Sequence, residues 1–219
     1  MPPRRFGILL AGLSSLPSTG PTAALPRPVE PLVAAAAGAG LRPEVLGLAR
    51  RAHARAAARR LTSSPVLTVI DYSLPSRVRR LWVLDLRAGR ILARELVAHG
   101  RNSGGDQAHR FSNRSGSLQS SLGLFLTGGV YRGKHGISLR LRGVDPRLNS
   151  RAEERAIVVH GADYVNQRTI AALGRLGRSQ GCPALDRAVA PRVIELIRDG
   201  TALFAYHPSI TRDSPVAAR

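Results

Sequence analysis

The stretch Arg80–His99, RLWVLDLRAGRILARELVAH, decides how the chain reads. Two apolar, β-prone runs, Arg80 to Leu86 and Arg90 to His99, flank Arg87-Ala88-Gly89. A short glycine-containing link between two such runs is a β-hairpin signal. Upstream, VLTVIDY (Val66–Tyr72) is rich in residues that favour strands. Downstream, HGISLRLRGV (His135–Val144) alternates apolar and polar positions, as a half-buried strand does. AIVVHGADYV (Ala156–Val165) holds a buried strand that ends in His160, and TALFAYH (Thr201–His207) reads as a closing strand. LGLFLTGGVY (Leu122–Tyr131) reads as an apolar segment with a Gly turn inside it. RNSGGDQ (Arg101–Gln107) and FSNRSGSLQSS (Phe111–Ser121) are loops by composition. So many short strands predict a mainly β domain over residues 63–210, built as a barrel-like or sandwich-like sheet.

The helices are expected at its periphery. Pro43 fits the first turn of a helix. Val45, Leu46, Leu48, Ala49, Ala52 and Ala56 then recur at helical spacing, while Arg50, Arg51, Arg55, Arg59 and Arg60 lie mostly off that face. With the Pro- and Ala-rich segment before it, this makes residues 25–62 a linker and a short N-terminal helical segment. ALDRAVAPRVIELIRDG (Ala184–Gly200) reads as a second helix, interrupted near Pro191 and stopped at Gly200. AEERA, before the His160 strand, is a short helix or turn.

Residues 1–24 read as an export signal. Arg4 and Arg5 precede an apolar run, Phe6 to Leu16, and small residues Thr22-Ala23-Ala24 follow. The run is too short for a transmembrane anchor. The last residues, 211–219, read as a disordered tail. The 219-residue chain carries 33 basic against 14 acidic side chains, a net charge of +19, and Lys134 is its only lysine. Such charge suits a polyanionic partner. The arginines are spread through every segment rather than gathered in one stripe, so a compositional bias is the preferred reading over a dedicated polyanion site, and export argues against nucleic acid.

One cysteine, Cys182, sits in GRSQGCPAL (Gly177–Leu185). Gly181 before it allows a sharp bend and Pro183 after it stiffens the exit. His160 lies twenty-one intervening residues upstream. A lone Cys with a distant His is a nucleophile and its base in outline. The competing reading is a small buried hydrophobe, which the Gly and Ser around it disfavour. The six histidines show no spacing for a metal site, and neither a serine-nucleophile elbow nor a phosphate loop followed by Lys is present. No cofactor is indicated.

Taken in order, LWVLDLRAGRILARELVAHGRNSG, FSNRSGSLQSSLGLFLTGGVYRGKHGISLRL, AIVVHGADYV and GRSQGCPAL resemble the murein L,D-transpeptidase catalytic domain family of the YkuD type. The resemblance runs from about Val66 to Tyr206. It implies a β-sandwich or barrel-like catalytic domain that acts on peptidoglycan stem peptides. In it Cys182 attacks the tetrapeptide to form a thioester, and an amine acceptor resolves it. His160 is the base, with its second ring nitrogen on the Ser179 carbonyl, while Gly181 and Cys182 N–H groups meet the oxyanion. Asp163 and Asn166 are alternative partners for the imidazole. His135 is placed on the substrate side of the cleft. Hydrolysis of the same thioester would make an L,D-carboxypeptidase, and a non-catalytic basic protein that binds envelope polymer is the reading from another class. Two positions depart from the pattern usual in the wider family: Gln180 stands where it has His, and Ala184 where it has Arg, although the branch this chain resembles tolerates Cys-Pro-Ala. Arg178 or Arg187 is then the expected contact for the substrate carboxylate.

Overall fold

A computed structural model describes residues 30–210. The export-signal reading over 1–24 and the tail over 211–219 lie outside those residues. Two helices come first, α1 (Glu30–Gly38) and α2 (Pro43–Ala58), followed by strands β1 (Val66–Asp71), β2 (Leu81–Asp85) and β3 (Arg90–Glu95). Then come β4 (Gly123–Gly133), β5 (Gly136–Gly143) and β6 (Val158–Ala162), and helix α3 (Gln167–Leu173). Strand β7 (Ala184–Asp186), helix α4 (Ala190–Ile197) and strand β8 (Ala202–Tyr206) complete it.

The eight strands form one sheet in the order β3-β2-β1-β8-β4-β5-β6-β7. The last strand in sequence is central: β8 runs parallel to β1 on one side and antiparallel to β4 on the other. Beyond β3 the chain meets the far edge, where Ala98 and Ala184 bridge antiparallel, with Ala98 N–H donating to the Ala184 carbonyl over 2.8 Å. Gly100 bridges to Ser179 next to it. The sheet is therefore a nearly closed barrel, and the two edges that would otherwise stand open cover one another. The domain is mainly β, with helices around the barrel.

Strands β1, β6 and β8 are apolar almost throughout because both of their faces are covered. Helix α2 packs on β1, β8 and β4, while α4 touches β1 and β2 as well as β5 and β6 across the curl of the sheet. Val193, Ile194 and Ile197 of α4 join the same core as Val45, Leu46 and Ala49 of α2. The indole N–H of buried Trp82 donates to the Ala39 carbonyl, pinning the α1–α2 corner to β2.

Three local expectations need correction. Gly128-Gly129 does not turn the chain. β4 runs on through it, and the register against β5 shifts between Thr127 and Val130, so the pair is a bulge. Pro191 does not interrupt a helix. It lies in the first turn of α4, where a missing N–H costs nothing, and Ala184–Asp186 ahead of it is strand β7. Helix α3 was not expected. It has no buried residue, and its signals are the Asn166 side chain capping the Thr169 N–H and Gly174 in the left-handed region at its end.

Candidate active site

Strand β6 sets the site. His160 lies opposite Ser138 on β5 and opposite Ala184 on β7, in parallel register with the latter. Carrying that register two residues back puts Cys182 opposite Val158, one step along the face from His160. Cys182 and His160 both line a cleft of about 770 Å³, with Tyr131, His135 and Ser138 on its walls.

The turn that carries Cys182 is built by hydroxyls. Ser179 Oγ accepts from the Gly181 N–H (3.1 Å) and donates to the Cys182 carbonyl (2.6 Å). Ser120 Oγ donates to the Gly181 carbonyl (3.0 Å) and accepts from the Gly100 N–H. Gly181 has φ +127°, and a Cβ there would stand 2.9 Å from the Gln119 carbonyl oxygen. Only glycine fits that backbone without strain.

His160 is buried, and its Nδ1 lies 2.9 Å from the Gly161 carbonyl. A carbonyl only accepts, so Nδ1 carries the proton and a neutral ring leaves Nε2 as an acceptor. The ring stacks on His135, with centroids 4.4 Å apart. Burial pushes the His160 pKa down, and the nearby His135, Lys134 and Arg187 add to that. The Cys182 thiol is pushed up by burial, while the Val158 N–H, the Arg155 charge and Lys134 pull the other way. Both shifts favour the uncharged forms of the two groups. The Cys182 Sγ donates to the Ala156 carbonyl at 3.7 Å, so in this structure the thiol points to the start of the β6 segment rather than to the imidazole.

The expected residues meet in part. Cys182, His160, Ser179, His135 and Arg178 all line the cleft. Gly181 shapes it, but its N–H is taken by Ser179 Oγ, so it is not the oxyanion donor expected of it. The Ser179 carbonyl does not hold His160. It accepts from the Arg101 N–H, and the imidazole turns to its own neighbour Gly161 instead. Asp163 forms a two-point ion pair with Arg187, and Asn166 caps α3, so neither orients the base. Arg178 spends a guanidinium N–H on the Gly104 carbonyl (3.0 Å) and the Arg101 carbonyl (3.3 Å).

Arg155 went unnoticed in the sequence. Half-buried at the cleft wall, it donates to the carbonyls of Ser112 and Gln119 (both 2.6 Å) and to the hydroxyls of Ser121 and Ser117. It gathers the Ser-rich loop 111–121 beneath the Gly181–Cys182 turn, and its charge favours the thiolate. Among 33 basic residues nothing local marks it; only its place just ahead of the buried His160 strand is a hint.

Residues 38–206 match the model of a protein family described as the L,D-transpeptidase catalytic domain. No curated protein sequence matches. Among solved structures, an L,D-transpeptidase from Mycobacterium smegmatis is 13% identical with a TM-score of 0.41, covering 66% of this chain and 59% of that one. The helical cell shape determining protein Pgp2 from Campylobacter jejuni is 11% identical with a TM-score of 0.42, covering 72% and 56%. The chain therefore spans less than two thirds of the length of either protein. The family match takes in β1 to β8 together with His160 and the Cys182 turn, and the chain belongs to the L,D-transpeptidase catalytic domain family.

Proposed function

We propose that the protein is a peptidoglycan L,D-transpeptidase that works through a thioester on Cys182. The observation that carries this reading is one cleft that holds the thiol and a histidine whose tautomer is fixed with Nε2 as acceptor. As Sγ attacks the carbonyl of the diaminopimelate–D-Ala bond of a stem tetrapeptide, its proton passes to His160 Nε2. The S–C bond forms, and the negative oxygen faces the N–H groups that already flank the sulfur, those of Cys182 itself and Val158. A well-placed donor of this kind is worth about 3 kcal/mol. The C–N bond then breaks, and Nε2–H returns its proton to the departing D-Ala amine. An amine of a second stem attacks the thioester and gives its proton to Nε2. The thiolate leaves and recovers that proton, and a cross-link remains.

Peptidoglycan as substrate places this work outside the cytoplasmic membrane, where the Phe6–Leu16 run, read as an export signal, would deliver the chain. Among the described residues no helix is long and apolar enough to cross a membrane.

Incubation with a disaccharide-tetrapeptide and chromatography of the products tests the proposal. Released D-Ala together with a cross-linked dimer supports it. Released D-Ala with only tripeptide assigns the site to hydrolysis, and no release of D-Ala overturns the reading.

A further inference from the structure

The position two residues after the cysteine offers no cation to the site. Ala184 stands there, fully buried and paired across the strands with His160, so no long side chain fits. The arginines that line the cleft are engaged. Arg178 is held on loop carbonyls, and Arg155 donates to four oxygen atoms of the 111–121 loop. Arg187, expected as an alternative, is paired with Asp163.

Beside the cleft, outside the residues that line it, an exposed cation on the same face of the sheet is held over a ring and has no carboxylate partner among the described residues: Arg140 on β5. Its register partner on β6 is Val158, which in turn stands opposite Cys182, so Arg140, Val158 and Cys182 form one row across the sheet. The neighbouring row is Tyr131, Ser138, His160 and Ala184. Residues in register point to the same face, and two strand spacings set Arg140 about 10 Å from Cys182, a span of about three extended residues. The guanidinium carbon of Arg140 lies over the Tyr131 ring, 4.5 Å from its centroid. Tyr131 itself lines the cleft. The Gly128-Gly129 bulge makes room for this: a Cβ on Gly128 would press on Arg140 Cβ at 3.3 Å. A guanidinium lying on a ring keeps its N–H edge free for a two-point bond to a carboxylate. Lys134, also at the cleft, sits in the tight turn between Gly133 and Gly136 with no such support.

We propose that Arg140, held over the cleft-lining Tyr131, recognises a carboxylate at the edge of this cleft and selects donor stem peptides with a free carboxylate. This rests on the transpeptidase reading for the identity of the peptide, but its test does not depend on turnover.

The test measures binding of the stem tetrapeptide, and of the same peptide with its carboxylates converted to carboxamides, to the full chain carrying Cys182→Ala. Arg140→Gln is expected to weaken binding of the acid about tenfold or more, to leave the amide unchanged, and so to erase the preference between them. Arg142→Gln removes the same charge one step along the strand and is expected to change neither. Tyr131→Leu is expected to give part of the Arg140→Gln loss. Equal losses for Arg140→Gln and Arg142→Gln, a loss confined to Lys134→Gln, or equal binding of acid and amide to the parent protein each overturns the proposal. Acid-selective binding without D-Ala release from the Cys182 protein would sink the transpeptidase reading and leave the Arg140 subsite standing.

Discussion

His135 lies against His160 with ring centroids 4.4 Å apart and planes 24° apart, so the expected base has a second imidazole as its lid. The stack shields one face of His160 from water. It also makes a proton on either ring unfavourable for the other, and both pKa values lie below the usual histidine value, with burial the leading cause for each.

That relationship fixes a pH dependence. In the proposed mechanism only neutral His160 accepts the thiol proton, and the neutral fraction falls as pH falls through its pKa. Because that pKa is lowered, the acid limb of kcat/KM should lie below the ordinary 6.5. His135→Phe keeps a ring in place and removes the charge, so it should move the limb upward. A pH–rate profile checks both. A wild-type limb above 6.5, or a downward shift in the variant, contradicts the arrangement. His160→Gln should lower kcat/KM by about 10²–10⁴-fold at every pH.

Arg155 should matter through the loop and through its charge. Its removal deprives Cys182 of a thiolate-favouring cation, so Arg155→Gln should raise the thiol pKa further above its ordinary value. The rate of alkylation by a small neutral reagent against pH reads that directly. The variant should also cut kcat about tenfold or more as loop 111–121 loosens, with Arg155→Lys recovering part of the thiol shift but little of the loop order. An unchanged alkylation profile would leave Arg155 with a purely structural role.

Gly181→Ala should be costly for its size. The backbone there lies in a region that side chains disfavour, and the new Cβ would meet the Gln119 carbonyl. Strain of about 1–3 kcal/mol is expected, visible as a lower denaturation midpoint, with activity lost as the Cys182 turn shifts. A variant of full stability and activity would show that the turn adapts freely.

Behind the site, fully buried Arg80 donates to the Val97 and Leu74 carbonyls and lies 2.7 Å from His99 Nδ1. Burial first, and then the Arg80 charge, push the His99 pKa down to about 3. A histidine depressed by folding binds its proton more readily when unfolded, so between pH 6.5 and about 3 the unfolded state takes up more protons. Stability is therefore full above pH 6.5 and lost progressively through that window, by on the order of a few kcal/mol. Urea denaturation of wild type and His99→Gln at several pH values tests this: the variant should lose less between pH 6.5 and 4.

Much of this was legible in the sequence, for physical reasons that differ by element. The β2–β3 hairpin announced itself because Gly89 takes a positive φ and Asp85 caps the turn by accepting from the Arg87 and Ala88 N–H groups. The His160 strand showed as an apolar run because it is buried along its whole length. The central place of β8 was not readable, since periodicity says which face is buried and not which strand lies alongside. Helix α3 buries nothing and so leaves no apolar stripe, and β7 is only three residues long. Cys182 and His160 stood out by residue type and setting. Arg155 did not, because its partners lie 34 to 43 residues away in the chain and only the fold brings them to it.

The most direct test of the central claim is the mass of the protein after brief incubation with disaccharide-tetrapeptide. The expected result is an adduct equal to the donor less D-Ala, mapped to Cys182, absent from a folded Cys182→Ala protein and formed far more slowly by His160→Gln. An unmodified Cys182 in a protein that still releases D-Ala, or continued turnover by the alanine variant, would contradict it.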